Sequence, residues 1–160
     1  MKHDITTAIN LITKFEGFSS VPYICPAGVL TIGFGHTHGV KKGDKITKEY
    51  ALDLLKLDLE PIISILDDYN LKYNWTNNEY NALCSFGYNL GAGSINQLTN
   101  YGNRSKEIIA KKMLLYCNAN GERLEGLVNR RKEEQALFLT PDSSGVNDEN
   151  ILFLRRNKIQ

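Results

Sequence analysis

The chain has 160 residues, 42% of them hydrophobic and 23% charged. This length fits one compact domain, and the hydrophobic fraction excludes disordered, collagen-like and low-complexity classes. A formal net charge of +1 argues against a protein that works mainly by coating nucleic acid, although residues 101–160, with eleven basic and eight acidic side chains, suit a polyanionic partner.

Neither the N-terminus nor the cysteines indicate export. No apolar run approaches the roughly 20 residues that span a bilayer, and the segment after Met1 lacks the long apolar stretch of a secretory signal. We therefore expect a chain made and folded in the cytoplasm, without stable membrane insertion. Cys25, Cys84 and Cys117 do not form a disulfide or zinc pattern, so we expect reduced thiols.

The N-terminal part predicts a helix followed by a small hairpin. Apolar residues at helical spacing predict a first helix that Asp4 caps and that ends at about Glu16, because Gly17 is favourable just beyond a helix end. Two β-prone segments then flank the turn Pro26-Ala27-Gly28. The second β-prone segment is expected to continue to about residue 36.

The remaining chain is predominantly helical in pattern. Thr76 and Glu79 form a capping box, which marks the start of an apolar helix. Residues 67–75 predict a loop, 141–150 a linker and 151–156 an apolar-then-basic tail. The predicted helices span about residues 47–66 (interrupted at Pro61), 76–91, 105–116 and 124–139. The fold class is α+β and mostly helical, and the long helix 47–66 is expected to join two lobes beside a ligand-binding cleft.

Glu16 is the first candidate for chemistry. The partial negative charge at a helix C-terminus disfavours a carboxylate by roughly 0.3–1 kcal/mol. A glutamic acid kept protonated near neutral pH is what a general acid requires. On this ground alone, however, a solvated surface glutamate is the better interpretation.

The segment after the hairpin turn offers weaker signals. Gly33 and Gly35 alternate along the predicted strand, which indicates either close approach of a ligand or a bend in the hairpin. No Lys-Ser/Thr follows them, so a phosphate-binding loop is excluded. His36 and His38 lack a third ligand, which favours a hydrogen-bonded structural histidine over a metal site. We expect no metal and no cofactor.

Three segments together resemble one enzyme family. They are Glu16-Gly17 with Tyr23 and the run from Gly28 to Thr37, the apolar run from Ala82 to Gly91, and the run from Gly126 to Glu134 with Leu137-Phe138. In this order they resemble the phage-type lysozymes, or endolysins, of glycoside hydrolase family 24. The resemblance covers about residues 5–139. It implies a single lysozyme-like domain over residues 1–160, with a C-terminal extension of unknown role at 140–160.

The resemblance implies a muramidase that hydrolyses the β-1,4 bond between N-acetylmuramic acid and N-acetylglucosamine in bacterial peptidoglycan. Glu16 would protonate the glycosidic oxygen, and Thr31 would help hold the attacking water. Arg130 would lie near Glu16, whereas Thr37 and Tyr88 would line the sugar groove. For Thr31 a β-branched strand residue, and for Tyr88 a core aromatic, is also a sufficient explanation. Arg131 is expected to be a solvated helix charge.

Cys25 departs from the best-understood family pattern, in which a carboxylate follows the catalytic glutamate at this spacing. A carboxylate there can act as base for a water on the far face of the sugar. A thiol has a pKa near 8.5 and is mostly neutral at pH 7 unless a positive neighbour lowers it. Some relatives carry cysteine here, so catalysis is expected, with the identity of the base open. Tyr116 replaces a frequent tryptophan, which is expected to alter packing only.

The resemblance also implies a biological setting. The chain would be a monomer in the host bacterial cytoplasm, released to the cell wall by a separate holin. Three alternatives remain open: a lytic transglycosylase using Glu16 alone, a non-catalytic cell-wall-binding module, and an unrelated helical interaction protein.

Overall fold

A computed structural model describes residues 3–142. In that part of the chain, six α-helices and two small antiparallel β-hairpins are formed. Their order is α1 (Thr6–Glu16), β1 (Ser19–Ile24), β2 (Leu30–Gly33), α2 (Lys48–Tyr73), α3 (Asn77–Leu90), α4 (Gly93–Thr99), α5 (Lys106–Met113), β3 (Asn118–Ala119), β4 (Glu122–Arg123) and α6 (Glu125–Leu139). The mostly helical α+β class with an N-terminal hairpin is confirmed. The tail predicted at residues 151–156 lies outside the described residues.

The first helix and hairpin follow the sequence pattern closely. The Asp4 carboxylate accepts the Thr6 backbone N–H at 2.9 Å, and α1 ends where Gly17 adopts a positive φ of 68°. Strand β1 pairs with β2 in a register that places Tyr23 opposite Thr31. The prediction that β2 extends to residue 36 is wrong: after Gly33 the chain turns back, and His36 pairs with Ile32 in an isolated β-bridge.

Helix α2 is longer than predicted and connects the hairpin to the helical lobe. The Thr47 side chain caps its start, and Pro61 lies within it without ending it. The loop predicted at residues 67–75 is wrong for most of its length, because the helix continues to Tyr73. Tyr73 is buried and stacks on Trp75 with ring centroids 4.4 Å apart. This packing extends the helix beyond the point where the apolar periodicity fades.

The helical lobe is built around α3. Both hydrogen bonds of the Thr76–Glu79 capping box are present, as predicted. The middle of α3 is buried on all sides because α1, α2, α4 and α6 pack around it. Gly87 allows α2 to approach closely, since a Cβ there would lie 2.8 Å from Ile62 Cγ2. Helix α4 and the β3–β4 hairpin, which the sequence reading missed, are short elements of two to seven residues.

Helix α6 closes the lobe against α3, and one prediction about it is wrong. Arg131 was expected to be solvated but is fully buried, beside the buried carboxylate of Glu134. Its guanidinium donates to Asn89 Oδ1 at 2.8 Å and lies 4.9 Å from the centre of the Phe86 ring. Tyr116 also packs edge-on against Phe86, in keeping with the expected packing role. No helix within residues 3–142 has the length and apolar character to traverse a bilayer.

Candidate active site

Glu16 lies at the C-terminal end of α1, where the helix meets the hairpin and α6. Its side chain is 22% exposed, and Glu16 Oε1 accepts a hydrogen bond from Arg130 Nη1 at 2.7 Å. Arg130 itself is only 4% exposed on its side chain. The resemblance's placement of Arg130 beside Glu16 is therefore confirmed.

Gly35 leaves the space that Glu16 occupies. It lies in the turn after β2 with a φ of +95°, and a Cβ built there would be 3.2 Å from Glu16 Oε2 and 3.5 Å from the Tyr88 hydroxyl. Of the two interpretations of the Gly33/Gly35 pattern, the bend is confirmed, because the strand ends at Gly33 and the chain turns back; close approach of a ligand stays a prediction. The group that approaches Gly35 is the candidate general acid itself.

A surface cleft lies next to this turn, between the hairpin and the helical lobe. Both residues expected to line the sugar groove, Thr37 and Tyr88, contribute to its wall. The Tyr88 hydroxyl donates to the Phe34 carbonyl at 2.7 Å, which fixes the ring across the base of the turn. The cleft is lined by Gly35, Thr37, Asp58, Pro61, Ile62, Gly87, Tyr88, Gly91 and Ala92.

Glu16 borders a neighbouring cavity on the α6 side, and its Oε2 also lies beside Gly35, which lines the cleft. Asn89 reaches this second cavity from α3 and Gly126 from α6. Its full lining consists of Phe15, Glu16, Asn89, Leu124, Gly126, Leu127 and Arg130. A polymer lying in the cleft would therefore pass the exposed edge of the Glu16 carboxyl group.

Cys25 and Thr31 are brought together by the hairpin turn. The Val29 carbonyl accepts the Cys25 backbone N–H at 3.0 Å and the Thr31 hydroxyl at 2.9 Å. Gly28 closes the turn with its N–H on the Cys25 carbonyl at 2.8 Å. Thr31 is 2% exposed, whereas Cys25 is partly exposed. The Cys25 backbone and the Thr31 side chain are thus held by the same carbonyl, and the Cys25 residue is the more accessible of the two.

The Cys25 thiol is more acidic than an ordinary cysteine. Hydrogen bonding from the Val29 backbone, and then from the Thr31 hydroxyl, lowers the pKa of the thiol. The pKa is thus lowered by hydrogen-bond donors of the same turn and not by a positively charged neighbour. Cys84 behaves oppositely, because burial raises its pKa to about 12. All three cysteines are unbridged, as predicted.

Tyr23 also lies at this site. It belongs to the first motif of the family resemblance, which implied no role for it. Burial raises the pKa of its hydroxyl, and the negative charges of Glu16 and Cys25 raise it further. Burial likewise raises the pKa of Tyr88, again with a contribution from Glu16. Two phenol groups therefore face Glu16 as neutral hydrogen-bonding groups. The register of Tyr23 opposite Thr31 is the structural signal that places it here.

His36 has the structural role that was preferred for it. Its Nδ1 lies 2.7 Å from Asp58 Oδ2, which ties the turn after β2 to α2 at the edge of the cleft. His38 lies nearby in sequence, in the segment that leads to α2. Within residues 3–142, no three histidine, cysteine, aspartate or glutamate side chains are arranged to bind a metal ion.

Comparison with known proteins places this geometry in a family. The phage lysozyme family model matches residues 13–134. An endolysin of Acyrthosiphon pisum secondary endosymbiont phage 1 is 36% identical over 135 residues, which cover 80% of this chain and 92% of that protein. The SAR-endolysin of Haemophilus phage HP1 is 31% identical, with 82% of this chain and 78% of that protein covered.

Two endolysins of Bacillus phages, B103 and PZA, are matched over only 56% and 52% of their own length, so the chain spans about half of these relatives. Among solved structures, the muramidase domain of SpmX from Asticaccaulis excentricus superposes with a TM-score of 0.76 at 32% identity, and the match covers 88% of this chain and 100% of that domain. The chain belongs to the phage lysozyme family of glycoside hydrolases.

Proposed function

We propose that this chain hydrolyses the β-1,4 bond between N-acetylmuramic acid and N-acetylglucosamine in peptidoglycan, with Glu16 as the general acid. The observation that supports this role best is the position of Glu16, which is partly exposed, lines the neighbouring cavity and lies beside Gly35 of the cleft. In the reaction, the Glu16 carboxyl group donates its proton to the bridging oxygen as the bond to the sugar breaks. The contact with Arg130 then stabilises the carboxylate that is left.

Water must supply the second half of the reaction. We place it beside the hairpin turn, where Cys25 and Thr31 share the Val29 carbonyl. A thiol of lowered pKa is a better proton acceptor at neutral pH than an ordinary cysteine, so Cys25 can take the place of the family's carboxylate. Attack from that side adds the water oxygen to the sugar and passes one proton to the protein.

The groove residues are assigned to sugar binding. Thr37 and Tyr88 line the cleft with both hydroxyl and apolar surface, a combination typical of carbohydrate sites because sugars present hydroxyl rims and apolar faces. Asp58, which is paired with His36, adds a carboxylate that can accept hydrogen bonds from sugar hydroxyls.

A digest in heavy-oxygen water tests the reaction type. Hydrolysis places one labelled oxygen in each new reducing end, provided that the products are reduced at once to prevent exchange. A lytic transglycosylase instead forms an unlabelled anhydro sugar by cyclisation. Labelled reducing ends would support the proposal, whereas anhydro products would assign the chain to transglycosylation. Equal slow clearing of cell walls by the native protein and by Glu16→Gln would favour a binding module.

The variant Cys25→Asp tests the proposal that Cys25 accepts a proton from the attacking water. We expect this variant to keep or increase the native activity on cell walls, because a carboxylate can accept the water proton at this position. A large loss of activity would contradict the assignment of Cys25 as a replaceable proton acceptor. Cys84→Ala provides the control for cysteine replacement elsewhere, and circular dichroism verifies folding of both variants.

We further propose that the enzyme acts as a monomer and reaches the wall from the host cytoplasm through a separate holin. Two relatives are named SAR-endolysins, which makes export without a holin the alternative route. Expression in a bacterium with and without a co-expressed holin separates the two. Lysis only in the presence of the holin would support the proposal, and equal lysis in its absence would contradict it.

A further inference from the structure

Behind Glu16, helix α6 buries a second carboxylate that the proposed mechanism does not use. The Glu134 side chain is fully buried. Its Oε2 accepts from the Ser85 hydroxyl at 2.6 Å, and its Oε1 lies 2.7 Å from Arg131 Nε. The Nε–Oε1 contact lacks hydrogen-bond alignment, so it is an electrostatic contact, whereas Arg131 Nη2 donates to Oε2 at 3.3 Å.

The same carboxylate touches Arg130 on the side away from Glu16. The guanidinium of Arg130 is held at three points: Nη1 is 2.7 Å from Glu16 Oε1, Nε is 3.4 Å from Glu134 Oε2, and Nη2 is 3.3 Å from the Ser85 carbonyl. One buried cation is therefore shared between an exposed carboxyl group and a buried one. Ser85 connects both partners, because its hydroxyl donates to Glu134 while its carbonyl accepts from Arg130.

The surroundings of Glu134 suit its ionised form. Burial raises the pKa of its carboxyl group, but the guanidinium groups of Arg131 and Arg130 and the Ser85 hydroxyl oppose that effect. Its hydrogen-bonding contacts are all with potential donors, which suits a carboxylate. Two buried guanidinium groups with Glu16 as their only anion would also leave one buried charge uncompensated, at a cost of several kcal/mol.

We propose that Glu134 is a positioning residue for the general acid: it anchors Arg130 and offsets part of its charge, so that Glu16 retains its proton. The inference rests on the proposed catalytic role of Glu16. Without the negative charge on Glu134, Arg130 and Arg131 together would stabilise the Glu16 carboxylate more strongly. Glu16 would then lose its proton at lower pH and would be a weaker source of protons at neutral pH.

Other ionisable groups face the two carboxyl groups. Tyr23 approaches Glu16 from β1 and Tyr88 from α3. Near Glu134, the Cys117 thiol interacts electrostatically with Arg131. The phenols are neutral over the range in which a carboxyl group titrates, since an ordinary phenol has a pKa of about 10 and the pKa values of these two are raised. The charge in direct contact with Glu16 is that of Arg130, which in turn contacts Glu134. Asp58 of α2, paired with His36, lies in the wall of the cleft beside Tyr88.

The direct test is a carbon-13 NMR titration of the Glu16 carboxyl group in the native protein and in Glu134→Gln. The amide keeps the shape of the side chain and removes its charge. We expect the Glu16 midpoint to fall by about half to one pH unit, which is a three- to tenfold loss of proton affinity. The alkaline limb of kcat should move down by the same amount with KM unchanged. An unchanged midpoint would overturn the proposal.

The adjacent residue provides a matched control. Glu133 is exposed and pairs with Lys14, so Glu133→Gln makes the same chemical change outside the buried cluster and should leave the Glu16 midpoint in place. The double variant Arg131→Met with Glu134→Gln removes one charge of each sign. It should return the midpoint to near its native value; a midpoint that stays low would contradict an electrostatic role.

A second variant applies where Glu134→Gln does not fold. Glu134→Asp keeps the charge beside Arg131 but shortens the side chain and withdraws the carboxylate from Arg130. We expect the Glu16 midpoint to fall in the same direction, and no change would again overturn the proposal. The NMR measurement does not depend on catalysis. If the midpoint shifts while Glu16→Gln remains active, the proposed function fails, but the electrostatic coupling between Glu134 and Glu16 is supported. If the midpoint does not shift and Glu16→Gln is inactive, the coupling fails and the proposed function is supported.

Discussion

At the scale of single residues, the reactivity of Glu16 depends on what surrounds its two oxygens. Oε1 is fixed by Arg130, and Oε2 lies against the open space above Gly35. The first contact orients the carboxyl group, and the second leaves the side on which we propose that the sugar oxygen binds. Gly35 has two reasons to be glycine, because its φ is +95° and its missing side chain leaves Glu16 in place.

Gly35→Ala should therefore reduce activity by displacing Glu16. The added Cβ would stand 3.2 Å from Oε2, so the Glu16 carboxyl group must shift to make room. Misplacement of a catalytic group in this way costs about ten- to hundredfold in kcat. Gly43→Ala is the matched control, since Gly43 has the same φ of +95° and no atom within 4 Å of an added Cβ. Equal losses in the two variants would attribute the effect to backbone strain and contradict a local role for Gly35.

Cys25 should show its lowered pKa in its reactivity. The thiolate is the reactive form, so a lower pKa moves the rise of the alkylation rate to lower pH. We expect iodoacetamide to modify the native protein with a midpoint below that of the denatured chain, and Cys25→Ser to abolish this modification. Cys84 and Cys117 are buried and should react only on unfolding. A native midpoint at or above the denatured value would contradict the hydrogen-bonding account of the turn.

Sequence reasoning reached the residues whose chemistry is local and missed those defined by packing. The positions of Glu16 at a helix end and of Cys25 at a turn follow from capping and turn patterns. The burial of Arg131 could not be read in the same way, because nothing in a charged run distinguishes a solvated arginine from one that a distant glycine-containing helix covers. Its partner Glu134 ends the motif from Gly126 to Glu134. The burial of Glu134, however, depends on the contact between α3 and α6.

At the scale of elements, the site depends on how closely α2 and α3 approach. Gly87 and Ile62 form the tightest point of this contact, and both also line the cleft. Helix α2 carries Asp58, which holds His36 at the rim, while α3 carries Tyr88, which holds the turn at Phe34. The spacing of these two helices therefore sets the distance between the two walls of the groove.

Gly87→Ala should destabilise the protein by separating these helices. The added Cβ would lie 2.8 Å from Ile62 Cγ2, and overpacking of this kind costs about 1–3 kcal/mol. Gly126→Ala is the matched control in α6, where no atom lies within 4 Å of an added Cβ, and it should stabilise by about 0.5–1 kcal/mol. Urea unfolding measures both changes; a stabilising Gly87→Ala would show that the contact is not tight.

The same scale shows where element prediction succeeded. The capping box at Thr76 and the cap at Thr47 were found because they are short-range hydrogen-bond patterns. The continuation of α2 to Tyr73 depends instead on stacking between Tyr73 and Trp75, which no window of sequence displays. Helix α4 was missed because a helix of seven residues has too few turns to show a periodicity.

At the scale of the whole molecule, one hydrophobic core joins the first helix, the long helix and the helical lobe. The catalytic candidates lie at its edge, on the hairpin, on α1 and on α6, so the core fixes their relative positions. The nearly neutral net charge offers no long-range attraction to an anionic polymer. Substrate selection must then depend on the cleft itself. The general class of substrate could be inferred from the motif resemblance, whereas the geometry of the groove could not.

The measurement that tests the central claim most directly compares two substrates for Glu16→Gln. Peptidoglycan has a poor leaving group that must be protonated, whereas an aryl glycoside with an acidic phenol leaves without a proton. We expect Glu16→Gln to lose at least about a hundredfold in kcat on peptidoglycan and far less on the aryl glycoside. Equal losses on both substrates would contradict proton donation by Glu16.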